Sequence, residues 1–197
     1  MGERVYLFKG FERFWHWSQA LLIIFLMLTG FEVHGSYRLF GFAAAVDLHR
    51  AAAWCLVGLW VFAIFWHVTT GEWRQYIPTL EKIGALIDFY SRGIFVNAPH
   101  PYRPTAYRKH NPLQRITYLM ILIVVSPLIW VSGFLYLFYG DLAQWGLVGI
   151  ELRFIAYAHT FGAFAMLIFL ISHLYLVTTG HTVFSQIKAM TTGWDEV

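Results

Sequence analysis

Residues 159–173 read HTFGAFAMLIFLISH, a histidine at each end of thirteen uncharged residues. At about 100° per residue, a fourteen-residue step returns both imidazoles to one face of an α-helix, roughly 21 Å apart along its axis. An apolar face carrying two nitrogen ligands at different heights suits two separate metal centres better than one clustered site. The chain holds nine histidines, a high count beside so few charged residues. Six fall in or at the ends of long apolar runs: His16, His34, His49, His67, His159 and His173. An ionisable group in such a run is costly, and its presence points to function.

The elements that must position these rings are membrane spans. The 197 residues are 58% hydrophobic, 19% aromatic and only 13% charged. A soluble domain is about half apolar and a quarter charged, so this balance indicates a membrane protein. Four segments reach the roughly 20 residues needed to cross hydrocarbon: about 15–35, 47–69, 114–138 and 154–178. Their length selects helix over strand, and helices satisfy every backbone group inside lipid. Pro127 lies inside the third span and predicts a kink there. No compelling small-x-small cleavage site directly follows the first span, which reads as a retained helix rather than a signal peptide. The expected fold is all-α: one integral membrane four-helix bundle over residues 1–197.

The basic residues predict its orientation. Three Lys or Arg precede the first span, six lie in the loop of about 70–113 with Arg115 just past its end, and one follows the fourth span. The two short loops hold Arg38, Arg50 and Arg153. Eleven against three places both termini and the central loop in the cytoplasm, by the excess of positive charge on that side. The first half of that loop, YIPTLEKIGALIDFYSRGIF, mixes apolar and charged positions as an interfacial helix would. The second half carries four prolines and reads as irregular. The basic residues follow the span ends and form no separate domain, so nucleic-acid binding is not expected.

This topology sorts the histidines by depth. His16 and His173 fall near the cytoplasmic edge, and His49 and His159 near the opposite edge. Two imidazoles facing each other across a bundle are what six-coordinate haem b requires, with the porphyrin filling the core. The sequence therefore predicts two haems, one held by His16 with His173 and the other by His49 with His159. The lone Cys55 and the absence of a C-x-x-C-H motif exclude covalent c-type attachment. Gly30, Gly58, Gly133 and Gly162 leave room for a flat macrocycle. Arg13, Arg50, Arg115 and Arg153 stand at the span ends, where propionates would seek cations. His34 and His67 each lie eighteen residues, five full turns, from the histidine on their own helix. Neither angle nor depth excludes them: His34 could pair with His159, and His67 with His173. They are read as interfacial histidines.

The motifs RFWHW at 13–17, DLHRAAAW at 47–54, KHNPLQR at 109–115 and HTFGAFAMLIFLISHLYL at 159–176 resemble the four-helix dihaem cytochrome b subunits of membrane-bound respiratory oxidoreductases. These include the subunits serving formate dehydrogenase, nickel–iron hydrogenase and thiosulfate reductase. The resemblance covers nearly the whole chain and implies the same ligand pairs, with His34 and His67 outside the ligand set. It also implies a quinone site beside the cytoplasmic-side haem, at the start of the third span. There Asn111 and Gln114 match the family motif, and His110 stands where an aromatic residue is usual. An imidazole at that position could relay protons. The residues alone also allow a plainer role, with Asn111 capping the third helix and Pro112 in its first turn.

The resemblance implies an electron-transfer subunit in a bacterial cytoplasmic membrane. It would link a periplasmic iron–sulfur or multihaem subunit, and through it a catalytic oxidoreductase, to menaquinone or ubiquinone. No catalytic triad, paired carboxylates or phosphate loop is visible. A stand-alone haem reductase and a non-haem proton-coupled transporter are the rival classes. Co-purifying partners would argue against the first, and a b-type absorption band against the second.

Overall fold

The computed structural model describes residues 4–96, 98–180 and 182–196. Its long elements are α1 (Gly10–Val33), α2 (Phe42–Thr70) and α6 (Leu152–Val177), together with α4 (Pro112–Met120) and α5 (Ser126–Leu137). A π-helical turn, Ile121–Val125, joins α4 to α5, so Pro112–Leu137 forms one continuous span. Shorter pieces are α3 (Ile83–Ser91), α7 (Ser185–Thr192) and the strands β1 (Arg4–Tyr6) and β2 (Trp194–Glu196). Four helices are long and apolar enough to cross a membrane. The protein is an all-α, multi-pass membrane protein.

The spans begin two to five residues earlier than the hydropathy reading placed them. The first turn of α1 contains Glu12 and Arg13, which no lipid-facing pattern would include. Its start is fixed instead by Glu12, which accepts the Lys9 backbone N–H at 2.7 Å. At the far end of α2, Gly71 adopts φ +76°, a left-handed turn that ends the helix at little steric cost. Where a kink is expected at Pro127, the structure has a π turn directly before the proline. Proline lacks an N–H and its ring crowds the carbonyl four residues back. The ladder shifts by one residue there, and the Ser126 N–H donates to Ile121 O.

The chain divides into two compact units. The first comprises residues 1–77, 103–109 and 180–197, and its centre is the α1–α2 pair. Glu32, buried near the end of α1, organises the connection between these helices. Its carboxylate accepts backbone N–H groups from Leu39, Phe40 and Gly41 at 2.7–3.1 Å. β1 and β2 pair antiparallel, with Tyr6 opposite Trp194. Arg13 and Trp17 donate to the backbone carbonyls of Thr191 and Met190. β1 and β2 therefore lie together beside the start of α1. The two-stranded ribbon is invisible in the hydropathy pattern, because each strand is only three residues long.

The second unit comprises residues 78–102 and 110–179, and its centre is the packing of α5 on α6. Gly162 makes that packing close: a Cβ there would meet Ile129 Cγ1 at 2.6 Å. The stretch expected to form a helix in the central loop contains α3, which buries Leu86 and packs on α4.

Large apolar side chains point outward along all the spans. Leu21 is 70% exposed, Phe62 68% and Phe161 70%. Such a surface would be strongly unfavourable in water, at roughly 25 cal/mol per Å², and is the expected exterior in lipid.

Candidate haem-binding site

Each unit holds two of the four expected ligands, one at each end of its helix pair. In the first unit His49 sits on the second turn of α2, beside α1. Its Nδ1 lies 3.0 Å from Thr29 Oγ1. The ring lies against the next residue, Gly30, where a Cβ would come within 3.1 Å of His49 Cε1. In the second unit His159 on α6 meets α5 in the same manner. Its Nδ1 lies 3.0 Å from Ser132 Oγ, and a Cβ on Gly133 would come within 3.3 Å of His159 Cε1. Both rings are half-buried, and both hydroxyl residues are buried.

These contacts fit a haem ligand. An axial histidine needs its ring held in place through Nδ1–H, so that the Nε2 lone pair can meet iron. Haem also needs neighbouring helices that keep bulk away from the imidazole, and Gly30 and Gly133 do so. Of the other two glycines noted in the sequence, Gly58 faces open space. Gly162 makes no such room, since its missing side chain is replaced by Ile129.

His16 stands on the second turn of α1, half-buried, with its ring edge-on to Trp17 at 5.1 Å. His173 lies near the end of α6, stacked at 21° on Phe169 one turn earlier. His34 ends α1 and is exposed. His67 is buried among Trp15, Trp66 and Tyr76, and its Nδ1 lies 2.7 Å from Ala63 O. Its other ring nitrogen has no hydrogen-bond partner among the described residues.

The four arginines are differently engaged. Arg50 and Arg153 are exposed and pair with neighbouring carboxylates, Asp47 at 2.9 Å and Glu151 at 2.7 Å. They remain open to a further anion. Arg13 gives one nitrogen to Thr191 O but keeps a buried Nε without a partner among the described residues. Arg115 is buried and donates Nε to the His110 carbonyl at 3.0 Å, which ties it to its own helix start.

Asn111 and Gln114 form a reciprocal cap at the start of α4. Asn111 Oδ1 accepts the Gln114 N–H at 2.8 Å, and Gln114 Oε1 accepts the Asn111 N–H at 2.9 Å. Pro112 occupies the first helical position. Asn111 Nδ2 donates to the Tyr90 hydroxyl at 3.3 Å, and that hydroxyl lies 3.2 Å from His100 Nε2. Burial pushes the Tyr90 hydroxyl above its ordinary pKa, against the opposing effect of the Asn111 bond. His110 is buried with its ring edge-on to Tyr118 at 5.1 Å.

Sequence reasoning misses two sets of residues. Thr29 and Ser132 are hydroxyls followed by glycine inside apolar runs, and that dipeptide is the available signal. The other set is an ion-pair cluster in the first unit. Lys109 Nζ lies 2.8 Å from both Glu12 oxygens and 3.0 Å from Glu72 Oε2, and Lys9 Nζ lies 2.6 Å from Glu72 Oε1. Burial of Glu72 would raise its pKa, yet the two lysines outweigh it and hold the carboxyl below its usual range. The hydrogen bond to Glu72 raises the pKa of Lys9.

Comparison with known proteins decides the family. Residues 7–193 match the family model described as prokaryotic cytochrome b561. The chain belongs to the prokaryotic cytochrome b561 family. It is therefore a multi-pass membrane cytochrome that carries b-type haem. The chain is 30% identical to the Escherichia coli (strain K12) protein YdhU, named as a cytochrome, over 98% of this chain and 75% of that one. It is 27% identical to a Cupriavidus necator protein named as a nickel–iron hydrogenase B-type cytochrome subunit, over 73% of this chain and 62% of that one. No solved structure matches the chain. His49 and His159 are thus two half-buried histidines, each seated on a hydroxyl–glycine pair of the neighbouring helix.

Proposed function

We propose that this cytochrome is the membrane-anchoring subunit of a respiratory oxidoreductase in a bacterial cytoplasmic membrane. Residues 1–197 form one haem-binding domain with both termini and the central loop in the cytoplasm. The chain binds two b haems, one through His49 with His159 and one through His16 with His173. The observation that supports this best is the matched setting of His49 and His159. The ligand pairing itself rests on the depth order of the histidines along four spans. The hydrogenase subunit among the relatives favours assembly with a catalytic oxidoreductase, through a periplasmic iron–sulfur or multihaem subunit.

Bound haem supplies one-electron iron chemistry, and the protein supplies ligands, orientation and dielectric. Arg50 and Arg153 offer exposed guanidinium groups to the propionates on one side, and Arg13 and Arg115 stand at the other. Quinone, menaquinone or ubiquinone, is the membrane-soluble partner at the start of α4. Asn111 and Gln114 shape that edge, and His110 holds or passes the proton that accompanies each electron.

Haem stoichiometry in purified protein tests this reading. The wild-type protein should carry two protohaems by pyridine haemochromogen assay and undergo reduction by a quinol analogue. His173→Ala should keep one haem and lose quinol-linked reduction. His49→Ala should keep one haem and retain it. A single haem in the wild type, or two in His173→Ala, overturns the assignment. Purification in mild detergent from the native host should bring down iron–sulfur or multihaem subunits.

A further inference from the structure

We propose that Thr29 and Ser132 are positioning residues for both axial ligands of one haem. Through His49 and His159 they fix ring tautomer and orientation, and thereby set that haem's affinity and potential. The inference rests on the ligand roles proposed above for His49 and His159.

The direction of each hydrogen bond follows from the other acceptors nearby. Thr29 Oγ1 lies 2.9 Å from Phe25 O and 3.2 Å from Leu26 O. Ser132 Oγ lies 2.5 Å from Leu128 O and 3.1 Å from Ile129 O. Carbonyl oxygens only accept, so each hydroxyl proton is already committed to the backbone of its own helix. What each oxygen presents to the histidine is a lone pair, and the ring must answer with Nδ1–H. For His159 a second acceptor enforces the same answer, because Ile129 O lies 3.2 Å from Nδ1. In the neutral ring the remaining lone pair then resides on Nε2, the nitrogen that binds iron. Thr29 and Ser132 thus hold both rings in the tautomer that ligation needs.

A serine or threonine inside an apolar helix ordinarily bonds only to the preceding turn. Here that bond frees the oxygen lone pair to face the neighbouring helix. The arrangement occurs independently in each unit. The hydroxyl precedes its histidine by 20 residues in the first unit and by 27 in the second. The loops differ in length, yet each hydroxyl is followed by a glycine lying under the ring. Two helix pairs with different connections converge on one device.

The chemical consequence has a sign. An acceptor on Nδ1–H makes the imidazole a better electron donor through Nε2, which favours ferric over ferrous iron. Removing the acceptor should therefore raise the midpoint potential of the haem concerned. It should also weaken haem retention by about 10- to 100-fold, as loss of an outer partner of a metal-bound histidine generally does. Only one of the two haems should respond, since both hydroxyls act on ligands of the same one.

The test is redox potentiometry and low-temperature electron paramagnetic resonance on the purified holoprotein. Thr29→Val should shift one redox component upward and move one low-spin signal, and Ser132→Ala, which leaves Ile129 O beside His159 Nδ1, should shift the same component by less, with the second component unchanged. Thr29→Ser and Ser132→Thr should restore both readouts. If Thr29→Val does not accumulate, Ser132→Ala carries the test alone through the other ligand. Variants with wild-type potentials, signals and haem retention overturn the inference. An equal shift in both components also overturns it. Failure of the underlying ligand reading is distinguishable: His49→Ala and His159→Ala would then keep both haems.

Discussion

Lys109 Nζ stands 2.8 Å from both carboxylate oxygens of Glu12, ninety-seven residues away in the chain, with both side chains almost fully buried. The pair fastens the end of the central loop to the first turn of α1. It puts a loop residue beside the N-terminal end of the first span. Glu72 and Lys9 complete the cluster with two further ion contacts, so two cations face two anions.

Removing one member should be costly. Lys109→Met leaves two carboxylates without their shared cation in a buried setting. Breaking a buried ion pair from one side destabilises by about 3–5 kcal/mol. Thermal unfolding of the detergent-solubilised protein should show a large drop in Tm. Lys9→Met removes only a half-exposed cation and should cost far less. Equal melting of the two variants would show that the cluster is not acting as described.

The same cluster gives stability a dependence on pH at both ends. The Glu72 carboxyl is held below its usual range. Its contribution is therefore present above the ordinary carboxylate pKa and is lost as pH falls through the lower folded-state value. The Lys9 ammonium is held above its usual range. Its contribution is complete below the ordinary lysine pKa and is lost as pH rises through the folded-state value. Hydrogen-exchange protection of residues 103–109, taken relative to the intrinsic rate at each pH, should fall at acid pH, and Glu72→Gln should remove that pH dependence.

Asn111 separates a capping role from a quinone role. Asn111→Ala loses the cap of α4 and should cost about 1 kcal/mol. Asn111→Ser keeps a capping oxygen but loses the Nδ2 that donates to Tyr90. Should the residue serve quinone chemistry, the serine variant should melt like the wild type yet show slower quinol-linked haem reduction. Unchanged kinetics in that variant would confine Asn111 to the cap.

Gly30 and Gly133 give a steric test of the ligand rings. An alanine Cβ at these positions would lie 3.1 Å and 3.3 Å from the facing imidazole Cε1, tighter than ordinary van der Waals contact. Gly30→Ala and Gly133→Ala should tilt the ring, measured as a shifted low-spin signal with haem still bound. Gly30→Leu should displace the ring and lose haem from that site. Gly58→Ala meets no neighbouring atom and should leave the spectrum unchanged.

Much of this architecture is legible in the order of the residues. Four spans follow from run length alone, because lipid permits so few backbone solutions. Pro127 announces a break in the third helix, although its form as a π turn depends on which carbonyl the ladder skips. The helix starts are less legible. Glu12 belongs to α1 because it caps the nearby Lys9 N–H, and Arg13 is held there by the distant Thr191 carbonyl, while hydropathy counts both as loop. KHNPLQR is readable as a helix start from Asn111 and Pro112, while the ion pairs of Lys109 with Glu12 and Glu72 are not.

The sequence by itself determined the membrane class, the number of spans and the candidate histidines. These follow from local quantities: hydrophobicity, length and angular repeat along one helix. Only the tertiary structure decided which groups touch those histidines. A hydrogen bond between His49 and Thr29 or between His159 and Ser132 requires two helices brought side by side in one register. The same register puts Gly30 and Gly133 under the rings and fills the space at Gly162 with Ile129. Periodicity states which face of a helix a residue occupies. What stands opposite that face is settled by packing between helices, which pattern along one chain segment does not encode.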